Sequence, residues 1–203
     1  MDSLKNNKTS LKTNKSPSIS IYQENPSGFV GHKELLEQNE CIVKKFEKWQ
    51  KRGCFEKFHH SHYDWYAFPI PELSSFGSKY TVSLSEIRIL KENSLFLSRL
   101  RSSLLLLCES WGWDLLNSLS LSGNLTKQQC WQRHPVRLYK MGLSALIFFG
   151  NGDDSLFSKL GQFADFLENK KESLEFHSSH EKKIENVKKR WKYWNEYLQK
   201  NPF

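Results

Sequence analysis

A chain of 203 residues is long enough for one domain with tails. It is 38% hydrophobic and 14% aromatic, with seven Trp and fourteen Phe, so a well-filled core is available despite a polar average. Of the net charge of +8, +2 falls in residues 1–30 and +4 in 170–203, leaving +2 for the body; that distribution argues against a basic nucleic-acid groove on the globular part.

The cysteines and apolar runs narrow the class further. Cys41, Cys54, Cys108 and Cys130 form no CxxC pair and show no zinc-ligand spacing. The longest apolar runs, 104–108 and 145–149, are five residues each and far too short to span a bilayer. The lysine-bearing N-terminus has no apolar signal core. These features predict a soluble, cytoplasmic, tryptophan-rich protein with reduced thiols.

Residues 1–26 are rich in Lys, Asn, Ser and Thr, a composition that cannot repay its ordering entropy and predicts a disordered tail. Within it, Ser18-Ile-Ser-Ile-Tyr22 alternates like a short edge strand. A helix is predicted over 33–52, because Leu35, Leu36, Asn39, Ile42, Val43, Phe46 and Trp49 recur at three- and four-residue steps before Gly53. Residues 58–73 then pack three histidines, five aromatics and two prolines into one irregular span. So much aromatic surface demands burial, and Pro69 and Pro71 stop a long helix. The span reads as a plug over the core.

Tyr80-Thr-Val82 reads as extended, and Ser83-Leu-Ser-Glu86 as a capping box opening a helix to about residue 91. Asn93-Ser94 restarts the chain, with Leu97, Leu100, Leu104, Leu107 and Trp111 repeating to Gly112. This most leucine-rich helix is expected to be the central one. Residues 117–129 are polar and loop-like, and Pro135 opens a helix over 135–149 that stops at Gly150. Asp153 or Asp154 is predicted to cap the next helix, and Ser178-x-x-Glu181 a last one. In that last helix, Ile184, Val187, Trp191, Trp194 and Leu198 make an apolar seam amid basic side chains. The predicted architecture is mainly α. Five or six helices surround the plug, with room for one minor strand pair. Residues 27–169 would form the domain and 170–203 a basic amphipathic helix docked upon it.

Two groups of side chains carry chemistry. His59, His60, His62 and Asp64 supply ligand types for a transition metal, which would make the protein a metal-dependent hydrolase. The spacing does not favour this: on a helix, the pair His60/Asp64 would point away from the pair His59/His62. The plainer reading has two histidines in solvent and one hydrogen-bonded to the core. Tyr63, Asp64, Trp65, Trp111, Trp113, Asp114, Trp131, Arg133, His134, Arg137 and Lys140 form the second group. The start of the 135–149 helix, with its free amides beside Arg133 and Arg137, suits a phosphate or carboxylate. The competing reading there is a buried ion pair, Asp64 or Asp114 against Arg133 or Arg137, with tryptophans packed over it.

No phosphate loop, dinucleotide fingerprint or nucleophile elbow points to a cofactor or a catalytic class. The leading expectation is a helical binding or regulatory protein for a small anionic ligand or a protein partner. The alternatives are the metal hydrolase and nucleic-acid binding through the basic tails. Taken together, His62-Tyr-Asp-Trp-Tyr-Ala-Phe-Pro-Ile70, Trp111-Gly-Trp-Asp114 and Trp131-Gln-x-x-Pro-Val-Arg-Leu-Tyr-Lys140 resemble a family of uncharacterised bacterial proteins over about residues 60–165. The resemblance implies no activity.

Overall fold

A computed structural model of the chain describes residues 24–73, 77–121, 129, 135–169 and 178–202, with side chains of the last helix from 183 onward. The first 23 residues, and with them the edge strand predicted at 18–22, lie outside this set. Eight helices are present among the described residues: α1 (His32–Lys51), α2 (Glu56–His60), α3 (Asp64–Ala67), α4 (Leu84–Glu92), α5 (Ser94–Ser110), α6 (Pro135–Phe149), α7 (Leu156–Asn169) and α8 (Ser178–Lys200). They are joined by one antiparallel hairpin, β1 (Trp113–Asp114) and β2 (Leu119–Ser120). The fold is mainly α. Among the described residues no helix is long and apolar enough to cross a membrane.

The start signals of the middle helices act as their chemistry requires. Ser83 caps α4 by accepting from the Glu86 amide, and Asn93 caps α5 by accepting from the Phe96 amide. The Glu86 side chain does not close the capping box. It lies 2.5 Å from His32 Nδ1, and Asn25 accepts from the Ser83 amide instead. At α7 the expected cap is replaced: Ser155 Oγ accepts from the Ser158 amide, while Asp154 pairs with Lys159 at 2.8 Å. Ser155 stands one residue before the first helical position, the place from which a side chain can reach those amides.

Position in the core departs from the expectation on one helix. The leucine-rich α5 buries a single stripe, whereas α6 is buried all round from Arg137 to Phe148. The cause is its neighbours, because α7 and α8 both pack on α6 and α5 reaches it through the Phe96–Phe148 ring pair. Gly142 permits the closest approach: an added Cβ there would lie 2.1 Å from the Trp191 ring of α8. Of the predicted seam of α8, Ile184, Val187, Trp191 and Trp194 are buried, and Leu198 is partly buried against the core.

The plug contains two short helices where an irregular path was expected. α2 and α3 each complete about one turn before the chain extends into Pro69. Aromatic contacts with α1 hold them down. Phe46 stacks on Phe58 at 4.8 Å and meets Tyr63 edge-on at 4.7 Å. Only β2 of the strand pair falls in the span read as loop; Trp113 pairs with Ser120 and Asp114 with Leu119. Tyr80–Val82 forms no strand. It is tied to its surroundings by single bonds, Val82 N–H to the Ile70 carbonyl and Thr81 Oγ1 to that of Glu72.

Candidate functional site

The site is built where the plug crosses α6. Asp64 opens α3 and is buried, and Arg137 and Lys140 lie three residues apart on α6, on one face of the helix. Lys140 Nζ donates to Asp64 Oδ2 at 2.9 Å, and Arg137 Nε stands 3.8 Å from Asp64 Oδ1. Arg137 is occupied further. Its two terminal nitrogens donate to the carbonyls of Phe58 at 2.5 Å and Ser61 at 2.7 Å, and its guanidinium lies 4.5 Å from the Tyr63 ring centroid. Those carbonyls belong to the end of α2, so Arg137 satisfies a helix C-terminus with a planar fork. The Tyr63 hydroxyl donates to the same Phe58 carbonyl, and burial raises its pKa well above the ordinary phenol range.

Lys140 is the contrasting cation. Its ammonium sits 2.9 Å from the Trp65 ring centroid with its side chain 6% exposed. Burial pushes its pKa down to about 8, and Arg137 helps, although Asp64 and Glu72 pull the other way. An ammonium has three N–H donors and Asp64 takes one of them.

Glu72 is the second anchor. It accepts from Tyr139 Oη at 2.6 Å, Trp194 Nε1 at 2.7 Å and Arg190 Nη2 at 2.5 Å, and so joins the plug to α6 and α8. Burial, then Glu72, lifts the Tyr139 phenol well above its usual range.

A pocket of about 280 Å³ opens on this network. Trp65, Tyr66, Phe68 and Tyr80 wall it, with Lys140 and Glu72 toward its buried side. Lys79 and His62 line it where it meets solvent, the Lys79 side chain being 57% exposed. Lys79 also pairs with Glu34 at 3.5 Å.

The residues singled out in the sequence divide between this place and others. Asp64, Trp65, Arg137 and Lys140 come together, with Tyr63 behind them. Trp111 and Trp113 instead pack against Phe163 of α7, at 6.0 and 5.1 Å, and Asp114 turns back to accept from Asn117. That hydrogen bonding lowers the Asp114 pKa. Trp131, Arg133 and His134 lie outside the described residues. Of the histidines, His60 and His62 are exposed and His59 is half-buried on α2. Among the described residues, no three His, Cys, Asp or Glu side chains are grouped as a metal ion would require.

Glu72, Tyr66, Lys79 and Tyr80 were not anticipated as site residues. The partners that give them meaning come from distant chain segments, and no local pattern marks them. No known family model, curated protein or solved structure matches this chain.

Proposed function

We propose that the protein is a helical binding domain for a small, flat, anionic ligand held in the aromatic pocket above Lys140. The supporting observation is the environment of Lys140, a buried cation with donors to spare inside four aromatic walls. Charge balance favours an anion over a cation. Among the described residues, the buried cations Arg137 and Lys140 share the single carboxylate of Asp64, while Glu72 is taken up by Tyr139, Trp194 and Arg190. A bound carboxylate or phosphate would offset the surplus charge that burial makes costly, while its ring lay against Trp65, Tyr66 or Tyr80. A ligand position beside α6 rather than at its first turn is favoured by the commitment of Arg137 to the α2 carbonyls.

Isothermal titration with 4-methylbenzoate and phenyl phosphate, with toluene as the uncharged control, tests the proposal. The two anions are expected to bind and toluene to bind more weakly. Lys140→Met should weaken the anions by about tenfold or more, the loss of one charge-assisted hydrogen bond in a buried setting. Arg133→Ala distinguishes the helix start from the pocket: on the pocket reading it is expected to bind the anions as the wild type does. Anion binding that survives Lys140→Met and is lost with Arg133→Ala would move the site to the helix start. Absence of binding by either anion sinks the proposal.

A further inference from the structure

The pocket also holds the parts that amine–carbonyl chemistry needs. Lys140 presents a primary amine that is nearly sealed from solvent, and the Asp64 carboxylate touches it at 2.9 Å. The aromatic walls flank the space beside that nitrogen, so a bound aromatic ligand would displace water that could otherwise hydrolyse a C=N bond. At the solvent end, Lys79 offers a second cation. We propose that Lys140 captures an aromatic aldehyde or ketone as a reversible imine, with an acidic substituent of that ligand held at the mouth by Lys79.

This rests on the pocket reading above for the cavity and the ligand class, and turns the ligand round, with its carbonyl at Lys140 and its acid at Lys79. In the step itself, the Lys140 ammonium first gives a proton to Asp64. The nitrogen lone pair then forms the C–N bond while the carbonyl π pair moves to oxygen, which takes one of the two protons left on nitrogen to give a neutral carbinolamine. Asp64 returns its proton to that hydroxyl, the C–O bond breaks, and water leaves as the nitrogen lone pair forms C=N. The second amine proton passes to solvent. Amine and carbonyl become imine and water, with no change of oxidation state. Burial supports the first proton transfer, since it favours the neutral amine over the ammonium.

Lys91 provides an internal control. Burial lowers its pKa too, but it lines a different hollow, with Leu146, Ile147 and Phe148, away from Asp64 and the aromatic pocket. The experiment treats the full chain with 4-formylbenzoate and sodium cyanoborohydride, which fixes an imine as a secondary amine, and maps the label by peptide mass spectrometry. Label on Lys140 is expected to exceed that on Lys91 and on exposed lysines by at least about tenfold. It should fall when 4-methylbenzoate competes, and its rate should climb with pH toward a plateau above about 8. Lys140→Arg keeps the charge and removes the nucleophile, so the dominant label disappears. Should that variant not fold, the distribution in the wild type decides alone. Label spread over lysines by exposure, or shared equally with Lys91, overturns the imine. Two outcomes separate the readings: 4-methylbenzoate binding with no preference for Lys140 removes the imine and leaves the anion pocket standing, whereas no binding of either compound removes both.

Discussion

Asp64 stands between two cations in a region that water barely reaches, and its removal would strand both. An uncompensated buried charge is far more costly than a missing pair is favourable, so Asp64→Ala should destabilise the fold by about 3–5 kcal/mol. Arg137→Lys should cost about 2–3 kcal/mol, because an ammonium cannot reproduce the fork that serves the Phe58 and Ser61 carbonyls together. Urea unfolding measures both; a loss below about 1 kcal/mol in each would mean the network carries little of the stability. The pairing of Asp64 with a downstream arginine was legible in the sequence, since a carboxylate amid aromatics needs a cationic partner. The closer pairing with Lys140 was not, because residues 137 and 140 share a face and spacing alone does not rank them. Glu72 was invisible for a plainer reason. Its donors come from residues 139, 190 and 194, and only the folded chain brings them within reach.

Helices announced themselves through caps and periodicity, and their rank in the core did not. Ser83 and Asn93 lie where local hydrogen bonding places an N-cap, and the seam of α8 follows from its repeat. The centrality of α6 depends instead on what packs around it, which apolar content does not encode: α5 has the denser leucines and the narrower buried stripe. The α6–α8 contact turns on Gly142, whose missing side chain admits the Trp191 ring, and Trp191 Nε1 donates to the Tyr139 carbonyl at 2.9 Å. Gly142→Ala improves helix propensity by about 1 kcal/mol, yet its methyl group would overlap a ring that has no room to retreat. The overlap should win, with a net loss of about 1–3 kcal/mol and faster amide exchange in α8 than in α4. Thermal unfolding and hydrogen exchange check this, and a variant more stable than the wild type would show that α8 is free to shift.

Across the whole molecule, the plug is the member that α1, α6 and α8 share, and its buried charges make stability depend on pH in a defined way. Burial lowers the Lys140 pKa from the ordinary 10.5 of a lysine to about 8 in the folded chain. Below pH 8 both states of the chain hold the proton, and this lysine gives no slope. Between about 8 and 10.5 the unfolded chain binds a proton that the folded one has released, so stability rises with pH, by at most about 3 kcal/mol. Cys108, Tyr63 and Tyr139 act oppositely, because burial holds their thiol and phenols protonated after those of the unfolded chain ionise, so stability falls again from about pH 9. The expected curve of urea midpoint against pH therefore climbs from about 8, peaks, and declines. Lys140→Met should remove most of the climb and keep the decline; the part that remains belongs to Lys91, whose pKa burial also lowers. A saturating anion should flatten the same limb in the wild type, since a carboxylate beside Lys140 restores its charge and carries its pKa back upward. A Lys140→Met curve that climbs between about pH 8 and 9 as steeply as the wild type's would contradict the buried ammonium on which the ligand proposal rests, whereas a climb that saturating anion leaves untouched would show that the anion binds away from Lys140.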